Sequence, residues 1–374
     1  MTRFAARLSL AVLSLLVVCV SPAAATKYAG EFMKIPVGAR AVGMGGAFSA
    51  VADDATAAYW NPAGMVLLPY REAFLQHAEQ FGGLVNHNFG GAVWPMHAND
   101  KEHRSAFGFS GTWVGVNDIP VTPRGWALRP GLDFLDYGVD NDPLTSDPGQ
   151  GDGKWEPGER LLLSSEDLYM ASSNDLALGL SYAHQRSRHW AIGGTLKFVR
   201  QSLPDTLVGE HVSSFGAGVD VGVLYLATDA VTFSAVAHDF TTTYLSWSNG
   251  TREFVAPSLT TGSAFNFYPA PGHALTAALD LAWNFEDRTY DGEVKLGAVT
   301  ADVHAGLEYW YRNTLALRTG VSGKDLALGL GVRYRHFGID YAASLNRFLA
   351  ASDPQFPDDK NLDATHLVSA SVSW

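Results

Sequence analysis

Few residues in this 374-residue chain are of the types, and at the spacings, that do chemistry. The stretch "VADDATAAYWNPAGM", Val51–Met65, sets two adjacent carboxylates, Asp53 and Asp54, before small residues, two aromatics and Asn61-Pro62-Ala63-Gly64. As a catalytic acid–base pair the two carboxylates are badly placed, because neighbours on one turn do not face a common substrate. Their natural chemistry is capping. Asp53 or Asp54 can accept the free N–H groups opening a short helix over Ala55–Trp60, and Pro62 ends it by biasing Asn61 away from the α region. The nearby "GMGGAF", Gly43–Phe48, has no preceding strand and completes no G-x-G-x-x-G, which excludes a dinucleotide loop. The twelve histidines are scattered. None has a zinc spacing or a serine partner in a hydrolase arrangement, so nothing supports an enzyme.

A second group lies in the acidic stretch 118–172, which holds eleven carboxylates against four basic residues. Its core, "DPGQGDGKWEPGE", is similar to extracellular Ca²⁺ loops of the Asp-Gly-x-Trp-Asp-x-Gly-Glu kind. Asp147, Asp152, Glu156 and Glu159 would donate oxygens, and Gly153 would permit the sharp turn. Pro148 stands where the first ligand should be, and Asp147 falls one residue early. Ca²⁺ is the only cofactor suggested. Ahead of this core, Trp126, Leu128, Leu132, Phe134, Leu135 and Tyr137 form an apolar set able to cradle a lipid tail or a protein domain, or to pack on itself.

The elements that must position these groups are strands. Arg3 and Arg7, the apolar "LSLAVLSLLVVCV" and an Ala-x-Ala site predict a signal peptide cleaved after Ala25. Val18 occupies the place where a lipoprotein signal wants a small residue before Cys19. Cys19 is the only cysteine, so the exported chain holds together without disulfides. With 38 glycines, 44 aromatics from 10 Trp, 14 Tyr and 20 Phe, and no apolar run of about 18 residues beyond the signal, helical membrane spans are excluded. A net charge of −12 makes nucleic acid an unsuitable partner.

From about Glu72 the dominant period is two. In "HALTAALDLAWN" Leu275, Ala277, Leu279, Leu281 and Trp283 share one face against Thr276, Ala278, Asp280, Ala282 and Asn284. "SSFGAGVDVGVLY" and "KDLALGLGVRYRH" repeat the pattern, with Gly, Asp and Arg on the polar face. These runs are about twice a soluble strand's length and reach across a tilted bilayer crossing. Fourteen such segments fit, from 72–81 to 364–374, and most alternate links are short. The fold predicted is an all-β, fourteen-stranded antiparallel transmembrane β-barrel in outer-membrane lipid, with residues 72–374 as the barrel and 118–172 as a long external loop. The last strand ends in Trp374, a signal of the kind read by the outer-membrane barrel assembly machinery.

The segment "GEFMKIPVGARAVGMGGAFSAVADDATAAYWNPAGM", Gly30–Met65, closely resembles the amino-terminal signature of the PorV/PorQ family, outer-membrane barrels related to the FadL transporters. The resemblance implies that residues 26–71 form a plug inside the lumen, with Arg40, Gly43, Gly45, Gly46, Asp53, Asp54, Asn61, Pro62 and Gly64 as its structural residues. Gly38, Gly43, Gly45 and Gly46 would let its backbone pass close to the wall, and Arg40 or the lumen arginines Arg333 and Arg335 would compensate the Asp-Asp pair. It further implies a non-enzymatic barrel in the outer membrane of a Gram-negative-type cell that receives a secreted cargo protein at its external loops, as in type IX secretion. The alternative is FadL-like uptake of long-chain fatty acids or other hydrophobic small molecules.

Overall fold

The computed structural model describes residues 29–374 except 81–82, 97–103, 122–125, 130–131, 141, 143, 157–158, 160–168, 205–210, 286–293, 297–298 and 346–363. The expected leader lies outside the described residues. The first strands are β1 (Glu72–Gln80), β2 (Val85–Met96) and β3 (Ser105–Val121), followed by a loop hairpin of β4 (Trp126–Arg129) and β5 (Leu132–Leu135). Next come β6 (Tyr169–Ser187), β7 (Trp190–Pro204), β8 (His211–Leu226) and β9 (Val231–His238), then a second hairpin of β10 (Thr243–Trp247) and β11 (Arg252–Val255). The remainder are β12 (Ser258–Ala270), β13 (His273–Asn284), the short β14 (Val294–Leu296), β15 (Val299–Tyr311), β16 (Leu315–Ser322), β17 (Asp325–Tyr334), β18 (Phe337–Leu345) and β19 (Ala364–Ser373).

Fourteen of these close a ring of antiparallel neighbours, β1-β2-β3-β6-β7-β8-β9-β12-β13-β15-β16-β17-β18-β19. The seam is the β1–β19 ladder, Glu72 opposite Ser373 through Glu79 opposite His366. A closed ring leaves no sheet edge, which is what a strand assembly needs in hydrocarbon. The chain is thus a fourteen-stranded transmembrane barrel.

Its burial pattern is inverted with respect to a soluble barrel. Leu75, Leu180, Phe215, Leu330 and Ile339 are exposed on the outer face, Leu330 at 54% and Ile339 at 60%. Their inward neighbours are small or polar and buried: Ser181, Asp220, Asp280, Arg318 and Asp340. Lipid solvates the first set, and the second lines the lumen. Trp190, Tyr225, Tyr334, Phe337 and Trp374 ring the outside at the rim of short turns, where a headgroup layer takes amphipathic rings. The long links stand at the other rim, which in outer-membrane barrels is the external one.

Two stretches read as plain loop in the sequence carry strands. β9 covers only the lower part of β8, Val221–Leu226, and the upper part, Ser214–Ala217, pairs with β10. The break follows from Asp239 and Thr242, both at positive φ, which interrupt the ladder between β9 and β10. The hairpin turns at Asn249-Gly250, with Gly250 at φ 86°. The β4–β5 hairpin likewise organises the stretch before the acidic core.

Candidate functional site

The N-terminal segment runs through the barrel. A 3₁₀ turn at Glu31–Lys34, helix α1 (Ala39–Gly43), helix α2 (Ala57–Trp60) and a 3₁₀ turn at Pro62–Leu67 make its framework. Helix α1 packs on β16 to β19, and the Pro62–Leu67 turn packs on β2, β3 and β6 to β8, so the segment bridges opposite walls. Its own apolar side chains, among them Val37, Met44, Phe48, Met65 and Val66, are wholly buried.

Arg40 is the electrostatic centre. Its Nε and Nη2 donate to the two oxygens of Glu308 at 2.8 Å each, and Nη1 donates to Asp53 at 2.5 Å and Asp54 at 3.1 Å. Glu308 also accepts from Arg318 Nε at 2.6 Å, Arg318 Nη1 donates to Asp340 at 2.8 Å, and Arg333 closes the chain on Asp340 at 2.7 Å. Four carboxylates and three guanidinium groups therefore alternate from segment to wall. Such charges are tolerable under burial only because each has bonded partners. Arg318 and Arg333 both lie over the ring of Trp310, at 5.3 and 5.4 Å. Arg40 thus neutralises the Asp-Asp pair directly, while Arg333 reaches it through Asp340, Arg318 and Glu308. Arg335 does not take part: it sits in the β17–β18 turn at φ 54° with its guanidinium over Tyr334.

Asp54 accepts from the backbone N–H of Thr56 at 2.9 Å, and its own carbonyl receives the N–H of Ala57, opening α2. Asn61 is fully buried in an extended conformation. Its Oδ1 caps the Pro62 turn by accepting from Ala63 N at 3.1 Å, and its Nδ2 donates to Ser49 O at 2.9 Å and reaches Val223 O on β8. Gly45 and Gly46 turn the chain at φ 65° and 78°, a left-handed pair that favours glycine. Gly43 lies against Gly329 of the wall, and Gly64 against the Ala52 carbonyl. Around the ring the wall holds this backbone by side chains. Asp280 accepts from Phe48 N and Ser49 N at 3.0 and 2.8 Å, Glu72 from Ala55 N at 2.8 Å and Gln76 from Gly38 N. Thr195 donates to Ala58 O at 3.2 Å. None of these wall partners is marked in the sequence except as an inward position of a strand.

The segment separates two cavities of about 530 and 550 Å³. The smaller opens toward the short turns beside Asp53 and His189. The larger, on the external side, has an aromatic and aliphatic flank of Met33, Ile35, Tyr59, Trp60 and Phe89. Tyr59 Oη donates to the carbonyls of Met33 and Ile35, and burial, with Asp220 and Asp239 nearby, pushes its phenol well above the usual range. The phenol therefore stays a donor. Trp60 Nε1 donates to Val37 O at 2.9 Å. The opposite flank is polar. Lys197 Nζ lies 2.8 Å from Asp220 and 2.6 Å from Asp239, and Asp239 also accepts from Thr243 at 2.5 Å.

The acidic loop between β5 and β6 folds on its own carboxylates. Asp136, which carried no marking in the sequence, accepts from Gly151 N and Gly153 N, and Glu159 accepts from Gly138 N and Glu156 N. Asp147 accepts from Asp140 N and Asp152 from Lys154 N. Asp147, Asp152, Glu156 and Glu159 are not gathered round one point: among the described residues no three His, Cys, Asp or Glu side chains converge to hold a metal. Phe134 and Tyr137 are buried. Trp126, Leu128, Leu132 and Leu135 lie in β4 and β5, and their side chains fall outside the described residues.

No protein-family model matches the chain, and no curated protein matches it. Solved structures do. The chain is similar to the CymD monoaromatic hydrocarbon channel, 13% identical with a TM-score of 0.54, over 91% of this chain and 98% of that one. It is also similar to the Pseudomonas putida toluene transporter TodX (13%, TM-score 0.51, 90% and 98%) and the Ralstonia pickettii toluene transporter TbuX (14%, TM-score 0.51, 90% and 97%). At these identities the shared property is the fold: a closed barrel matched along nearly the whole of each chain.

Proposed function

We propose that the protein is a non-enzymatic outer-membrane channel through which hydrophobic small molecules enter from outside. The observation that carries this is the external cavity of about 550 Å³, flanked by aromatic rings and floored by the N-terminal segment inside a lipid-embedded barrel. The whole-length likeness in fold to hydrocarbon channels supports the same reading. In it, residues 1–25 are removed on export, the strand ending at Trp374 is read by the assembly machinery, and residues 29–68 are the plug. The secretion-shuttle reading draws only on the resemblance of Gly30–Met65 to PorV/PorQ proteins.

The test is accumulation of 1-naphthol by cells lacking the gene and by the same cells complemented with it. Complemented cells are expected to fill several times faster at low external concentration. Equal rates would remove the uptake reading.

A further inference from the structure

The two rims of the barrel differ in charge. The acidic stretch 118–172 stands among the long links, whereas arginines stand at the short turns beside the barrel seam: Arg312 between β15 and β16, Arg335 between β17 and β18, and Arg71 just ahead of β1. All three are exposed, in a chain whose net charge is −12. Among the described residues none of them has a carboxylate partner, the carboxylate of Trp374 included, whereas Arg40, Arg318 and Arg333 inside the lumen are each paired. Arg71 and Arg335 flank the seam itself. The carbonyl of Arg71 accepts from Trp374 N at 3.1 Å, and that of His336, beside Arg335, accepts from Ser373 N at 2.8 Å.

Arg312 and Arg335 repeat one local design. Each directly follows a tyrosine and lays its guanidinium over that ring, Arg312 at 5.3 Å from Tyr311 and Arg335 at 5.4 Å from Tyr334. Each also has positive φ, 51° and 54°. In the Arg312-Asn313 turn, closed by Thr314 N on Tyr311 O at 3.0 Å, both central residues are left-handed, which Gly, Asn or Asp accommodates at least cost. The backbone therefore asks for arginine at neither turn, and each arginine is held against its own conformational preference. What the residue gains there is placement. The rings of Tyr311, Tyr334, Phe337 and Trp374 are exposed on the outer face, where aromatic side chains meet the headgroup layer. A guanidinium stacked flat on such a ring keeps its N–H edge free at the same height, and that planar fork matches a phosphate. A zwitterionic headgroup brings an ammonium group beside its phosphate, which three guanidinium groups repel. An anionic one does not.

We propose that the short-turn rim at the seam binds the phosphate of an anionic phospholipid, with Arg71, Arg312 and Arg335 as the donors. Short turns of outer-membrane barrels are periplasmic, so the lipid belongs to the leaflet on that side. The test is native mass spectrometry of the full barrel in detergent micelles, titrated with dimyristoyl phosphatidylglycerol or dimyristoyl phosphatidylcholine, which share chains and differ in headgroup charge. Phosphatidylglycerol is expected to bind at least about fivefold more tightly. The variant Arg71→Gln/Arg312→Gln/Arg335→Gln, whose barrel is verified by its heat-modifiable gel shift, is expected to lower that preference at least about threefold. Arg186→Gln/Arg188→Gln, which removes two arginines from the β6–β7 part of the same rim, is expected to leave the preference within about 1.5-fold of its original value. Inorganic phosphate at the lipid's concentration is expected not to displace it; displacement would make this a site for a soluble anion and overturn the lipid assignment. Equal binding of the two lipids, a preference unmoved in the triple variant, or an equal loss in the double variant would also overturn it. None of these outcomes bears on uptake of naphthol.

Discussion

Arg40→Met isolates the link between segment and barrel. The substitution keeps an aliphatic stem of similar length to cover Phe48, over which the guanidinium stacks at 5.2 Å. It removes two charge-assisted bonds to Glu308 and those to Asp53 and Asp54. Breaking a buried ion pair on one side costs about 3–5 kcal/mol, because a charge is left behind without its partner. Here the loss is smaller than the top of that range. Glu308 keeps Arg318 at 2.6 Å, and Asp53 is partly solvated on the short-turn side, so the stranded carboxylates retain some compensation. About 3 kcal/mol against the docked state is the expected penalty. At 1.4 kcal/mol per factor of ten, the undocked population rises roughly 100-fold.

The barrel ladder does not pass through Arg40, so the effect is expected to be local. Hydrogen exchange followed by mass spectrometry should show peptides from 37–68 exchanging about 100 times faster, with peptides from β6, β7 and β17 unchanged. Glu308→Gln alone should also loosen the segment. The double variant should cost less than the sum of the two, since the pair is lost only once. Exchange in 37–68 within about threefold of the unmodified protein, or equal acceleration in the barrel strands, would refute the assignment of Arg40 as the anchor.

Three further outcomes follow from other contacts. Gly320→Val places a side chain against the Met44 carbonyl and should displace the segment, raising its exchange about as much as Arg40→Met; Gly194→Ala, whose added carbon meets only ordinary contact, should leave exchange unchanged. Because burial raises the Tyr59 phenol, the folded state holds that proton more tightly than the unfolded state, so its contribution is intact below about pH 10 and falls as pH rises above it. Tyr59→Phe should abolish that alkaline loosening, as read by exchange in 37–68 between pH 9 and 11. Leu330→Arg puts a charge on the outer face at a position 54% exposed and should cost about 2–4 kcal/mol in a lipid-refolding titration, whereas a barrel solvated by water would tolerate it.

The fourteen wall strands were legible because both faces of each carry a signal. In β17, Leu328, Leu330 and Val332 mark lipid while Ala327, Gly329 and Gly331 mark the lumen, and period two needs no tertiary information to be seen. The β10–β11 hairpin was not legible as wall, although Asn249-Gly250 between "TYLSW" and "REFV" signals a turn, because its four- and five-residue strands are too short to cross a bilayer alone. The charge chain was half visible. Arg40 and the Asp-Asp pair stand close in sequence, but Glu308 lies 268 residues from Arg40, and Arg318 in "LALRTG" looks like any other inward position until the barrel closes. Arg335 was misplaced because strict alternation was carried one residue past Tyr334, where the backbone turns to positive φ.

The division of labour inside the lumen bears on how the segment can leave the barrel. Much of the wall facing the segment is smooth, with Ala106, Ala183, Ala191, Ala264 and Ala278 lining it and glycines at 193, 222, 306, 320 and 329 pressed against segment atoms, while Phe74, Phe89, Val93 and Leu224 are the bulky wall side chains that join the segment's apolar cluster. The bulky apolar side chains, Val37, Met44, Phe48 and Met65, belong mainly to the segment, and Asn61 and Trp60 bond its own carbonyls at Ser49 and Val37. Internal cohesion is therefore mainly the segment's own, while attachment to the wall joins polar bonds through Glu308, Asp280, Glu72, Gln76 and Thr195 to apolar contacts with Phe74, Phe89, Val93 and Leu224. Water entering a lumen can replace polar attachments far more readily than it can replace buried hydrocarbon contacts. A body so built leaves its socket as a unit before it unravels. Peptides from α1 and from the Pro62–Leu67 turn should then accelerate together in Arg40→Met, although Arg40 touches only the first; acceleration confined to α1 would mean that the segment comes apart piece by piece.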